Sequence, residues 1–158
     1  MVVSEPNHLD PETWRQTEST PKERTVAFGM FRKVVVEANR CSAENINRYI
    51  PFDYTIDDIQ FMKSYRDQKG QALVRLGLDY DKYFCDGPTD LEWLPRWILV
   101  GDKISDLGTI KDLVDAGDYD KDGKSELIFL FSGYDRGGYI MLYGNEYSKR
   151  IDFIWGYH

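Results

Sequence analysis

The chain is poor in the residues that most often carry chemistry. It has two cysteines and two histidines in 158 residues. Cys41 and Cys85 form no Cys-x-x-Cys motif, and His8 and His158 have no paired spacing, which argues against a zinc site. Basic residues are in deficit: the formal net charge is −7. Nonspecific binding to nucleic acid or to an anionic membrane surface needs a basic patch, so neither is expected. No apolar run approaches the ~18 residues of a membrane span, so membrane insertion is not expected either. Residues 1–10 are polar and lack the apolar segment of a signal peptide. Neither Gly-x-Ser-x-Gly nor a Cys–His constellation is present. Ser132-Gly133 reads as turn chemistry. No catalytic residue is assigned, and an enzyme is not the expected reading. A hydrolase would need a site assembled only by the fold.

What the chain does have is one acidic loop. Residues 115–131 read Asp-Ala-Gly-Asp118-Tyr-Asp120-Lys-Asp122-Gly123-Lys124-Ser-Glu126-Leu-Ile-Phe-Leu-Phe. Carboxylates alternate at 118, 120 and 122, and a fourth follows at 126. A tight curl would turn the three aspartates inward while Tyr119 and Lys121 point out. Gly123 permits the reversal, because glycine takes positive φ without a Cβ clash. Calcium takes six to eight oxygens at about 2.3–2.6 Å, and this spacing supplies oxygens only. Four carboxylates this close repel one another without a cation. The plainer alternative is an acidic Asp-Gly turn. An EF-hand starts in the same way but closes on a carboxylate at its twelfth position, which here is Phe129. Leu127–Phe131 is β-prone, so the loop is expected to lead into a strand.

The stretch Gly117-Asp118-Tyr-Asp120-Lys-Asp122-Gly123-Lys-Ser-Glu126-Leu-Ile-Phe resembles the calcium loop of FG-GAP and VCBS-type repeats, found in integrin-like β-propellers and secreted bacterial proteins. The resemblance implies a loop joining two antiparallel strands. It also implies side-chain ligands at Asp118, Asp120, Asp122 and Glu126, with the Lys124 carbonyl as a further ligand. It covers about one blade, Leu113 to Tyr143. A closed propeller needs several blades, and no second good copy exists. Asp79-Tyr80-Asp81-Lys82 repeats one tetrapeptide, but Tyr83 and Phe84 stand where an aspartate and a glycine belong. It reads as a plain turn or as a decayed second site. Ser132-Gly-Tyr134, Gly137-Gly-Tyr139 and Trp155-Gly-Tyr-His158 extend the likeness to the C-terminal part of uncharacterised VCBS-like bacterial proteins, which implies no activity.

The remaining chain reads as one domain. Residues 1–20 are a polar lead-in, in which Asp10-Pro11-Glu12-Thr-Trp14 carries a short helix-start signal. Thr20-Pro21-Lys22-Glu23 is a stronger one, with a cap, a proline and an acid three residues on. Val26, Ala27, Met30, Phe31, Val34 and Val35 then share a helical face. Alternation at Val26, Phe28, Met30, Val34 and Val36 also permits a strand, but the good cap favours a helix ending near Asn39. A short second helix is expected from Ser42. Ile59–Tyr65 and Ala72–Leu78 form a hairpin about Asp67–Gly70. Trp97–Val100 is a strand, with Gly101-Asp102 as a turn. Glu126–Ser132, Gly138–Tyr143 and Arg150–Tyr157 complete a meander.

The expected fold is therefore α+β. An N-terminal helix or helices precede a mostly antiparallel meander sheet of about seven strands, with the loop at 118–126 between two of them, in a single domain over 21–158. The expected function is a noncatalytic calcium-binding module, with a structural ion held by Asp118, Asp120, Asp122, Lys124 and Glu126. Its partner would be a protein. A calcium-stabilised carbohydrate-binding domain stacking sugars on Trp93 and Trp97 is the alternative, with core packing as the plainer role of those aromatics. A loop suited to extracellular calcium, with two cysteines, favours a periplasmic or extracellular protein with a Cys41–Cys85 disulfide. A cytoplasmic protein with two buried thiols is the other option.

Overall fold

A computed structural model describes residues 9–42, 48–79 and 95–157. Among the described residues there are eleven strands in three sheets and one α-helix. The α+β character and the mainly antiparallel pairing agree with the sequence reading. The single meander of about seven strands does not: the strands separate into three sheets. The described residues divide into two compact units. One draws on the described residues within 17–65 and 72–109, the other on those within 9–16, 66–71 and 110–157.

The first unit holds the helix, α1 (Pro21–Val34). The capping box expected at Thr20 is formed. Its hydroxyl accepts from the Glu23 amide at 3.3 Å, and Glu23 accepts from the Thr20 amide at 2.6 Å. Ala27, Phe31 and Val35 are buried, whereas Val34 is exposed. The buried face is thus rotated from the expected one. The helix also stops five residues short of Asn39. Val34-Val35-Val36 is a β-branched run that fits a helix poorly. The buried Tyr54 hydroxyl donates to the Val35 carbonyl at that point. The chain then enters β2 (Ala38–Cys41), which pairs antiparallel with β3 (Tyr49–Phe52). The second helix expected from Ser42 falls mainly on 43–47, outside the described residues.

The expected hairpin is present as β4 (Ile59–Arg66) and β5 (Ala72–Leu78), neighbours in one sheet that continues through β6 (Arg96–Val100) to β7 (Ile104–Gly108). β7 has no counterpart in the sequence reading. Its Ser105-Asp106 pair breaks the apolar texture, and a bulge between Trp97 and Ile98 lets Asp106 lie opposite Ile98. There it takes a bidentate ion pair from Arg96, at 3.0 and 2.6 Å. Ala27, Phe31, Val35, Tyr54, Val74, Leu76 and Ile98 form the core of this unit.

The second unit contains the two-residue strand β1 (Arg15–Gln16) and a four-stranded meander. The meander comprises β8 (Leu113–Gly117), β9 (Glu126–Gly133), β10 (Arg136–Tyr143) and β11 (Lys149–Gly156), in the spatial order β11-β10-β9-β8. Alternation sorts its residues. Leu127, Phe129, Ile140 and Leu142 are buried on one face. Tyr139, Met141 and Tyr143 are half-buried on the other. Gly138 is required where β10 meets β11, since a Cβ there would lie 2.0 Å from the Phe153 carbonyl oxygen. The last three strands expected from sequence are all present, each within two residues of its expected start.

Candidate metal centre

The acidic loop joins β8 to β9, which pair antiparallel from Gly117↔Glu126. Its curl is set by side chains bonding backbone amides, the local habit of aspartate. Asp118 accepts from the amides of Asp122 at 2.9 Å and Gly123 at 3.0 Å. Asp120 accepts from Asp122 at 3.1 Å, and Asp122 accepts from Lys124 at 2.9 Å. Lys121 and Gly123 supply the positive φ values the reversal needs, 64° and 85°. Glu126 reaches back across the hairpin and accepts from the amides of Tyr119 at 2.6 Å and Asp120 at 3.3 Å.

These bonds bring carboxylate oxygens of Asp118, Asp120 and Glu126 within 4.8 Å of one another. Two oxygens on one calcium ion at about 2.4 Å are at most ~4.8 Å apart. The separations are thus compatible with one shared ion after a small inward movement of the carboxylates, and the donors are all oxygen, which is the chemistry calcium takes. Asp120 is exposed, Asp118 half-buried and Glu126 buried. Burial pushes the Glu126 carboxyl above its ordinary range, and the Asp120 and Asp122 carboxylates push it further; the Tyr119 and Asp120 amides oppose this. A cation would relieve the repulsion. Asp122 lies outside the converging trio, with one oxygen on the Lys124 amide. The Lys124 ammonium donates to Asn145 at 2.9 Å.

Sequence reasoning missed what holds the loop from outside. The Asp118 amide donates to the Leu9 carbonyl at 2.9 Å. The Ser125 hydroxyl donates to Asp10 and accepts from the Glu12 amide. Asp10 also accepts from the amides of Glu12, Thr13 and Trp14 at 3.2, 2.9 and 2.6 Å. It caps a single turn rather than the short helix expected, and Thr13 takes φ 54° there. Beyond the turn, Glu12 is buried. Its carboxylate accepts from Lys69 at 3.0 Å and from the Tyr147 hydroxyl at 2.9 Å, and the Trp14 indole donates to that same hydroxyl at 3.2 Å. The only sequence signal for this strap was the cap pattern at Asp10, which says nothing of a contact some 115 residues away.

The other expected site residues are not gathered here. Trp97 is fully buried, with Tyr65 and the Arg75 guanidinium against its ring, so it has the packing role and cannot stack on a sugar. Trp93, Cys85, His8, His158 and most of the Asp79–Lys82 echo lie outside the described residues, and Asp79 itself follows the end of β5. Among the described residues, no helix is long and apolar enough to cross a membrane. Comparison of the chain with protein-family models, with curated proteins and with solved structures gives no match.

Proposed function

We propose that this protein is a noncatalytic, calcium-binding interaction module of the periplasm or extracellular space, in which a structural ion pins the β8–β9 loop. The observation that carries the reading is the convergence of Asp118, Asp120 and Glu126 oxygens within 4.8 Å. Asp122 and the Lys124 carbonyl complete the proposed ligand set. The ion supplies positive charge where three carboxylates meet. The chain's own amides hold those carboxylates in place, and the Leu9–Trp14 strap closes over the loop. A cation here stabilises the meander and the strap together, because both are bonded to the same nine residues. The likeness to FG-GAP and VCBS-type loops belongs to this reading, as does a Cys41–Cys85 disulfide. The carbohydrate-binding alternative is weakened, since Trp97 is buried.

The test is thermal unfolding in millimolar calcium and again with a chelator. A ligand at about 100 times its Kd stabilises by about 2.7 kcal/mol, which for a chain of this length is a shift of about 5–10 °C. Asp120→Ala should unfold near the chelated midpoint and ignore added calcium. If the metal is shown to be removed and the midpoint does not move, the structural ion is wrong.

A further inference from the structure

Among the described residues, β11 is an open sheet edge. It ends the order β11-β10-β9-β8, so its outward amides and carbonyls face away from the sheet. Its pairing with β10 runs without a bulge from Tyr143↔Lys149 to Arg136↔Gly156. It contains no proline; its charges, Lys149, Arg150 and Asp152, lie in its first half, with Arg150 and Asp152 paired to each other, and Phe153–Gly156 carries none. Proteins normally blunt such edges with lysine, proline or a bulge. All eight residues of β11 are exposed. On one face, Ile151, Phe153 and Trp155 form an apolar stripe that Tyr157 prolongs; Phe153 is 69% exposed and Trp155 46%. The stripe continues inward, since Tyr139 is the partner of Phe153 and its ring lies 5.8 Å from that of Trp155.

We propose that β11 is a self-association edge, at which a second copy of this chain adds its own β11 antiparallel about a two-fold axis at Phe153. The strand is self-complementary in that register. Phe153 meets Phe153, Trp155 meets Ile151 and Tyr157 meets Lys149. Asp152 meets Ile154, and Arg150 meets Gly156. Like charges are never opposed, and aromatic–aliphatic cross-strand pairs are favourable. Odd positions meet odd positions, so the two apolar stripes merge on one face of a continuous eight-stranded sheet. Other registers are poorer. An axis at Asp152 sets two carboxylates against each other. An axis at Ile151 leaves Trp155 and Tyr157 unpaired, and one at Ile154 leaves Lys149 and Arg150 unpaired. A two-fold contact is closed, so the edge is consumed by one partner and no fibre grows. The bonding itself is strand addition, whose main-chain ladder gives affinity and whose side chains fix register.

The experiment is analytical ultracentrifugation of the intact chain over a wide concentration range, with two cysteine variants. The wild type is expected as a reversible dimer. Phe153→Lys, at an exposed position, should weaken association at least tenfold with an unchanged circular-dichroism spectrum. Phe153→Cys places two thiols opposite each other across the axis and should cross-link on mild oxidation at least tenfold faster than Ile154→Cys, with the wild type as control for the native cysteines. A monomer up to millimolar concentration overturns the proposal, as does open-ended oligomerisation. Faster linking of Ile154→Cys overturns the register, and with it the two-fold pairing proposed. The cross-link holds as a test even if Phe153→Lys fails to fold.

Discussion

Glu12 shows how one side chain can decide the acid limb of stability. Burial raises the cost of its charge, but the Lys69 ammonium, the Tyr147 hydroxyl and the Ser125 backbone amide outweigh that and hold its carboxyl below the ordinary 4.5. A carboxyl whose folded pKa lies below its unfolded value binds fewer protons in the fold. The stability it contributes is therefore present above the unfolded value and is lost as pH falls through the folded one. Asp67, nearby in sequence to Lys69, has the opposite sign, because burial raises its carboxyl; its contribution is lost as pH rises. A single pH curve mixes the two, so the informative quantity is a difference. Glu12→Gln is expected to lower the unfolding free energy by about 1–2 kcal/mol at neutral pH, after allowing for the solvent exposure of Lys69. The gap from wild type should close as pH falls from about 6 towards 3. A gap in urea titrations that stays constant over that range would reject the ionised pair. At this scale the sequence was informative only where the converging side chains are neighbours in the chain. Asp118, Asp120 and Glu126 were legible because a nine-residue spacing fixes what they can reach. Glu12, Ser125 and Tyr147 were not, since their partners are brought near only by the fold.

Elements were legible in proportion to how locally they are determined. The capping box at Thr20 and Glu23 is a four-residue event, and it forms as the pattern requires. The end of α1 is not local. Asn39 was a reasonable stop by apolar spacing, but β branching at Val34–Val36 and the Tyr54 hydroxyl end the helix sooner. β7 escaped for a related reason, since its Asp106 is tolerated only because Arg96 stands across the ladder. The cap provides a clean measurement. Thr20→Ala removes the acceptor for the Glu23 amide and should cost about 1 kcal/mol. Thr25→Ala makes the same deletion one turn later, where the hydroxyl merely bonds back to the Pro21 carbonyl at 3.0 Å. That change is expected to stay within about 0.5 kcal/mol, because such back-bonding adds little to a helix. Equal losses in denaturant titrations of the two variants would mean that the cap contributes nothing particular.

At the scale of the molecule, composition and class were legible and topology was not. Period-two alternation marks strands but not which strand each will join, and a shift of partner moves whole segments between sheets. The C-terminal meander was foreseen because each of its pairings closes a short turn. The separation of β2 and β3 from the larger sheets depends on pairings that no local pattern announces. The same non-locality governs the cysteines. Cys41 ends β2, and among the described residues no cysteine is a free thiol. Pairing it with Cys85 closes a loop of about 44 residues, for which the chain-entropy estimate is about 4 kcal/mol. Freshly isolated native protein, denatured without reductant, should take up no thiol label, and reduction should expose two thiols per chain. Reduced protein should unfold at distinctly lower denaturant, with calcium held constant so that the loop's contribution is unchanged. Two reactive thiols in unreduced protein would remove both the cross-link and the main chemical argument for an oxidising compartment. The proposed calcium site would survive that result, because the carboxylates assigned to it and their amide partners lie within 118–126 and owe nothing to sulfur.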